Sequence, residues 1–104
     1  MVVRMRIYAS EQADHARADQ IFYQQVKPVH ERHGARFLGR YRDDAGRVVV
    51  LWAYADADSL QAIQKAVAQD PETLASKAER EASGLHGLAF EEWILHPTDP
   101  AELY

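Results

Sequence analysis

The chain has 104 residues, 47% of them hydrophobic and 27% charged, with a formal net charge of −4, a size and make-up that suit one globular domain and leave no room for two. A mild acidic balance without a basic run excludes the long-range attraction on which nucleic-acid binding rests, and the apolar fraction excludes a disordered chain. Cysteine is absent, which excludes a disulfide framework, a thiol nucleophile and a thiolate metal site together.

The opening residues, Met1-Val2-Val3-Arg4-Met5-Arg6, are too short and too charged for the apolar core of a signal peptide. No apolar run reaches the length needed to cross a bilayer. A soluble, cytoplasmic protein with no membrane partner is expected.

From Val2 to Ala9 the chain alternates, with Val3, Met5 and Ile7 on one face and Arg4, Arg6 and Tyr8 on the other, the period of a strand. Ser10 is placed to cap a helix, with Glu11 and Asp14 in its first turn. Along that helix His15, Ala18, Phe22, Val26, Val29 and His33 form one stripe at spacings of three and four. Pro28 lies inside it, cannot donate to Gln24 and crowds that carbonyl, so a kink or a break is expected. Gly34 ends the helix.

Arg36 to Arg42 predicts a second strand, Asp43-Asp44-Ala45-Gly46 a turn, and Val48 to Tyr54 a third strand. The third strand is apolar on both faces, which points to a sheet covered on both sides. Asp58 followed by Gln61 resembles a capping box, opening a helix with Leu60, Ile63 and Val67 on one side. Asp70-Pro71 restarts the helix, and the restarted piece carries Leu74, Ala78 and Ala82 before Gly84 stops it. Leu88 to Leu95 predicts a fourth strand, apolar except for Glu91 and Glu92. The domain is read as residues 1–96, with residues 97–104 as an irregular C-terminal arm.

The order strand, helix, strand, strand, helix, strand is the split βαβ arrangement. The fold expected is therefore α+β: a ferredoxin-like βαββαβ unit with a four-stranded antiparallel sheet. Its helices cover one face only, so two apolar faces imply that an identical chain covers the other. A homodimer follows as an expectation.

Taken together, Arg4-Met5-Arg6-Ile7-Tyr8, the Pro28 to Gly34 stretch, Phe37-Leu38-Gly39-Arg40-Tyr41 and Val50-Leu51-Trp52-Ala53-Tyr54 resemble the NIPSNAP family of the dimeric α+β barrel superfamily. The likeness spans about residues 2 to 96 and rests on the order and spacing of these pieces. Where family members often carry an acidic residue, this chain has Arg4. The resemblance implies a barrel of two sheets with helices outside, and implies no particular reaction. Other branches of that superfamily include cofactor-free monooxygenases and haem-degrading enzymes, some of which use an Asn, Trp and His set. Asparagine does not occur in this chain, so that set cannot be assembled.

His30-Glu31-Arg32-His33 invites a zinc-protease reading that fails, because the two histidines are three apart rather than four. One packed histidine, His33, and one surface histidine, His30, is the reading the stripe supports. No metal and no cofactor is expected. His15 and His33, both on the stripe, are the candidates for a general base in a pocket between helix and sheet. Tyr8, Tyr41, Trp52 and Tyr54 are the large strand aromatics that could hold an apolar or aromatic ligand, core and dimer interface being their ordinary use. Arg4 and Arg6 need partners, and Glu91 and Glu92 on the neighbouring fourth strand can supply them across a dimer interface. The alternative use of Arg6 is to receive an anionic substrate through a carboxylate. Two functions remain: a homodimeric binding module for a small apolar or aromatic molecule, or a cofactor-independent enzyme, monooxygenase- or isomerase-like, with a pocket histidine as base.

Overall fold

Residues 1–9, 14–82 and 89–99 are described by the computed structural model of the chain. The alternating first segment forms β1 (Val2–Tyr8), and the predicted hairpin forms β2 (Arg36–Arg42) and β3 (Val48–Tyr54) with the expected bounds. Phe90–Leu95 is β4, while Leu88, the expected start of that strand, lies outside the described residues. The four strands pair antiparallel in the order β2-β3-β1-β4. At the hairpin, the Asp43 carboxylate accepts from the backbone N–H groups of Ala45 and Arg47, at 3.0 and 2.8 Å, and Gly46 takes a φ of 83° that a side chain would resist.

The first helical region is α1 (His15–Ile21), a π-helical turn (Phe22–Val26) and α2 (Lys27–Arg32). Its N-cap is Asp14, whose carboxylate accepts from the Arg17 N–H at 3.1 Å. Asp14 was expected inside the first turn; Ser10 and Glu11 lie outside the described residues. The helix ends in a Schellman motif, with Ala35 N–H donating to His30 O and Gly34 N–H to Glu31 O. Gly34 sits at φ 103°, the left-handed conformation that favours glycine.

The second helical region begins at α3 (Ala57–Gln69), capped by Asp56, which accepts from the Ser59 N–H at 2.7 Å. The cap expected at Asp58 is corrected to Asp56: the extended backbone of Asp56 lets its carboxylate reach back to the first free N–H groups, and Asp58 is already helical. Asp70 and Pro71 restart the helix as expected, giving α4 (Pro71–Ala75) and then α5 (Lys77–Ala82). The face expected to pack there is corrected too. Leu74, Ala78 and Ala82 are exposed, and Thr73, Ser76 and Arg80 turn inward instead.

Cross-strand register shows which face is which. Val2, Arg4, Arg6 and Tyr8 lie opposite Tyr54, Trp52, Val50 and Val48, and the helices cover this face. Its core joins Val2, Val48, Val50, Trp52 and Tyr54 to Phe22, Ala35 and Leu60. Fully burying one aliphatic or aromatic side chain of this kind contributes about 1.5–3 kcal/mol. The opposite face carries Val3, Met5, Ile7, Val49, Leu51, Ala53, Trp93 and Leu95, and Trp93 and Leu95 are exposed there. Among the described residues, no helix is long and apolar enough to cross a membrane.

Candidate ligand site between helices and sheet

Pro28 determines how the first helical region winds. It has no N–H to donate to Gln24, and the chain meets that loss by wrapping Phe22–Val26 as a π turn, with the Lys27 N–H reaching Phe22 O five residues back. Such a turn uses one residue more than an α turn. Everything after it is rotated by about 100° relative to a continuous α-helix. His30 therefore comes to the sheet, where its ring stacks on Trp52 with centroids 4.8 Å apart and 17° between planes. His30 at the surface and His33 packed, the expectation from uninterrupted periodicity, is corrected here: the π turn shifts the register by one residue.

A cavity of about 370 Å³ opens where this helix, α3 and the α4–α5 pair stand over β1. Three arginines reach it: Arg4 and Arg6 from β1 and Arg80 from α5. Gln25, Gln64, Thr73 and Ser76 add polar groups, and Val26, Val67 and Ala68 an apolar patch. Arg4 is only 4% exposed. Its Nη1 lies 3.6 Å from Glu92 Oε1, and with its amide oxygen turned inward Gln64 accepts from Arg4 Nε at 3.0 Å. Arg6 Nε donates to the same Glu92 oxygen at 2.7 Å, and its guanidinium lies 4.3 Å from the Phe90 ring centre. Burial opposes ionisation of Glu92, but hydrogen bonds and charge from Arg6 and Arg4 hold its carboxyl below the usual range. Glu92 is thus the expected partner, on the helix-covered face rather than at a bare one; Glu91 points to the opposite face.

His30 Nδ1 is 2.9 Å from Val26 O, an acceptor that requires the proton on Nδ1 and leaves Nε2 with a lone pair. Burial, with positive charge from Arg4, Arg6 and His33, pushes its pKa down to about 4, against some help from the Val26 carbonyl. The folded pKa lies below the ordinary value near 6.5, so the unfolded chain binds the proton first as pH falls. The associated stability is complete above about pH 6.5 and lost between there and about pH 4, an amount on the order of 3 kcal/mol. Chemical denaturation at half-unit pH steps should show that slope, and His30→Gln should flatten it. An equal slope in the variant would assign it elsewhere.

The other candidate residues lie apart from this cavity, Arg6 excepted. His33 caps the end of α2 and places Nε2 2.7 Å from Asp70 Oδ2, which Arg32 also reaches at 2.7 Å. The second Asp70 oxygen accepts from the Glu72 N–H and caps α4. Hydrogen bonds from Arg32, His33 and the Glu72 N–H hold the Asp70 carboxyl far below the usual range, so this cluster fastens α2 to the α3–α4 junction. His15 sits against the Gly46 turn at the far end of α1. Tyr8 packs on Phe90 and its hydroxyl accepts from Arg6 Nη1 at 3.2 Å. Tyr41 is 59% exposed and its ring lies over Gly39. Trp52 and Tyr54 are core residues, Trp52 as the wall behind His30; the Tyr54 hydroxyl is buried with no hydrogen-bond partner among the described residues.

Sequence reasoning missed His30, Gln25, Gln64, Thr73, Ser76 and Arg80 as site residues. Two signals could have found them. Pro28 required rewinding upstream, and Thr73, Ser76 and Arg80 are spaced by three and four, one polar helix face. Among the described residues, no three His, Asp or Glu side chains gather as metal ligands.

The sequence model of the NIPSNAP family matches residues 3–99. The chain belongs to the NIPSNAP family. Solved structures share the fold of this NIPSNAP chain. An uncharacterized NIPSNAP domain protein from Burkholderia xenovorans is 23% identical, with a TM-score of 0.79 and coverage of 98% of this chain and 99% of that one. A NIPSNAP family protein of unknown function from Agrobacterium tumefaciens is 15% identical, with a TM-score of 0.82 over 100% and 94%. A Nitrosomonas europaea protein named for antibiotic biosynthesis monooxygenases is 18% identical, with a TM-score of 0.59 over 95% and 100%. No curated protein matches the chain.

Proposed function

We propose that this NIPSNAP protein is a homodimeric cytoplasmic binding module that holds a small organic molecule between its helices and its sheet. The observation that carries the reading is the cavity itself. Five helical or strand elements deliver to one space a buried guanidinium, a neutral histidine and uncharged polar groups beside an apolar patch. Buried charge is costly unless it has something to hold. Val26, Val67 and Ala68 give an apolar or aromatic body a place to lie, although the lining as a whole is more polar than the sequence suggested. The dimer rests on the bare face: Met5, Ile7, Val49, Leu51, Trp93 and Leu95 form an apolar surface on the side away from the helices, and a second sheet is its simplest cover.

A second reading is favoured by one specific feature, the unprotonated Nε2 of His30. It could serve as general base in a cofactor-independent oxygenase- or isomerase-like enzyme, and the shared fold of the Nitrosomonas europaea protein keeps that chemistry in view. The first reading is preferred because His30 is oriented by a backbone carbonyl, with no carboxylate behind it among the described residues, and the chain has no asparagine for an Asn, Trp and His set.

Native mass spectrometry of the purified protein tests the proposal. A dimer is expected, with a small extra mass that leaves on denaturation or with a site that fills on titration with organic fragments. A bare monomer that no fragment binds would end it.

A further inference from the structure

The charges around the cavity do not balance. Arg4 and Arg6 share one carboxylate, Glu92, at 3.6 and 2.7 Å. Arg80 faces the same space, and its hydrogen bonds run to Thr73 O at 2.6 Å and Ser76 Oγ at 3.2 Å, both uncharged. Among the described residues no carboxylate forms an ion pair with Arg80. The nearby Glu79 is engaged by Arg17 and by Gln25 Nε2, the latter at 2.7 Å. Among the described residues, three guanidinium groups against one carboxylate leave an excess of two positive charges, and His30 adds none while it is neutral. The Arg4 side chain is 5% exposed, so water screens its share of that field weakly.

Building on the ligand cavity proposed above, we infer that its occupant is a small organic carboxylate, seated with its anionic end among Arg4, Arg6 and Arg80 and its body against Val26, Val67 and Ala68. Guanidinium forks match the two oxygens of a carboxylate. The apolar patch distinguishes an organic acid from a bare inorganic anion. The volume of about 370 Å³ lies at the small end of the usual range for ligand pockets, which suits an acid about the size of benzoate.

The test pairs acids with their neutral amides: benzoate with benzamide, phenylacetate with phenylacetamide, and inorganic phosphate as the bare anion. Binding is read by NMR shifts of the arginine Nε–H and histidine ring signals. Each acid is expected to bind at least tenfold more tightly than its amide and than phosphate. Arg80→Gln should weaken acid binding about tenfold and amide binding by much less, and Arg80→Lys should restore part of the acid binding. Arg80 is partly exposed and outside the core, so the variant is expected to fold, and a circular-dichroism melt checks it. If amides bind as well as acids, the carboxylate inference falls and the cavity reading stands. If phosphate binds as well as the acids, the organic part of the inference falls. If nothing binds the cavity, both fall together.

Discussion

Replacing Trp52 by alanine should cost about 3–5 kcal/mol, a large part of the 5–15 kcal/mol that holds a domain of this size together. Trp52 is 3% exposed, and its ring meets Phe37 at 5.2 Å, Phe22 at 6.2 Å and His30 at 4.8 Å between centroids. Alanine would leave a void that none of these neighbours can fill without leaving its own packing. Urea denaturation should show a midpoint far below that of the parent or no folded baseline. Trp52→Phe, which keeps an aromatic face for His30, should lose less than half as much. The pair has a second readout. With the stack gone, water reaches His30 and its pKa should rise from about 4 toward the ordinary histidine value. An alanine variant as stable as the parent would show that the aromatic cluster does not organise this core.

Leu51→Asp should leave the fold intact and abolish association. Leu51 stands on β3 opposite Met5, on the face without helices, so its side chain contributes nothing to the core under the helices. In the proposed dimer the aspartate would be a charge buried against apolar partners, a cost of several kcal/mol that a standard interface of about 1,600 Å² does not absorb. Light scattering after gel filtration should give a dimer for the parent and a monomer for the variant. Ala62→Asp, on the exposed side of α3, is the control and should remain dimeric. A parent protein that is monomeric at micromolar concentration would falsify the assembly.

The strands were legible because their signal is local. Period-two alternation in Val2–Tyr8 and a dense apolar run in Val48–Tyr54 each specify a strand without reference to anything distant, and Asp43 to Gly46 specifies the hairpin by turn chemistry. Asp70-Pro71 was legible for the same reason: a capping carboxylate and a proline are both read within three residues. Of the candidate site, only Arg6 was legible. Helical stripe arithmetic assumes 3.6 residues per turn from end to end, and the π turn at Phe22–Val26 breaks that assumption just before the residue that matters. Along α4 and α5 the rule of apolar residues inside failed because the space they face is polar and cationic, so Thr73, Ser76 and Arg80 turn in and Leu74 turns out. Arg4 and Arg6 were recognised as needing partners, and Glu92 answers both. That they also face a cavity depends on helices that no strand pattern describes.

The π turn has an evolutionary side. A helix of this kind is an α-helix that has accepted one inserted residue and kept it. Losing any one residue between Phe22 and Val26 would restore ordinary winding and leave His30 where it is, whereas winding the same five residues as plain α-helix would carry His30 about 100° round the axis and bring Val29 toward the cavity instead. The histidine's place is thus recorded in residue spacing as much as in residue identity. In a relative aligned with this chain, a single-residue gap upstream of the proline is therefore compatible with a histidine in the same place, the shorter helix winding as plain α.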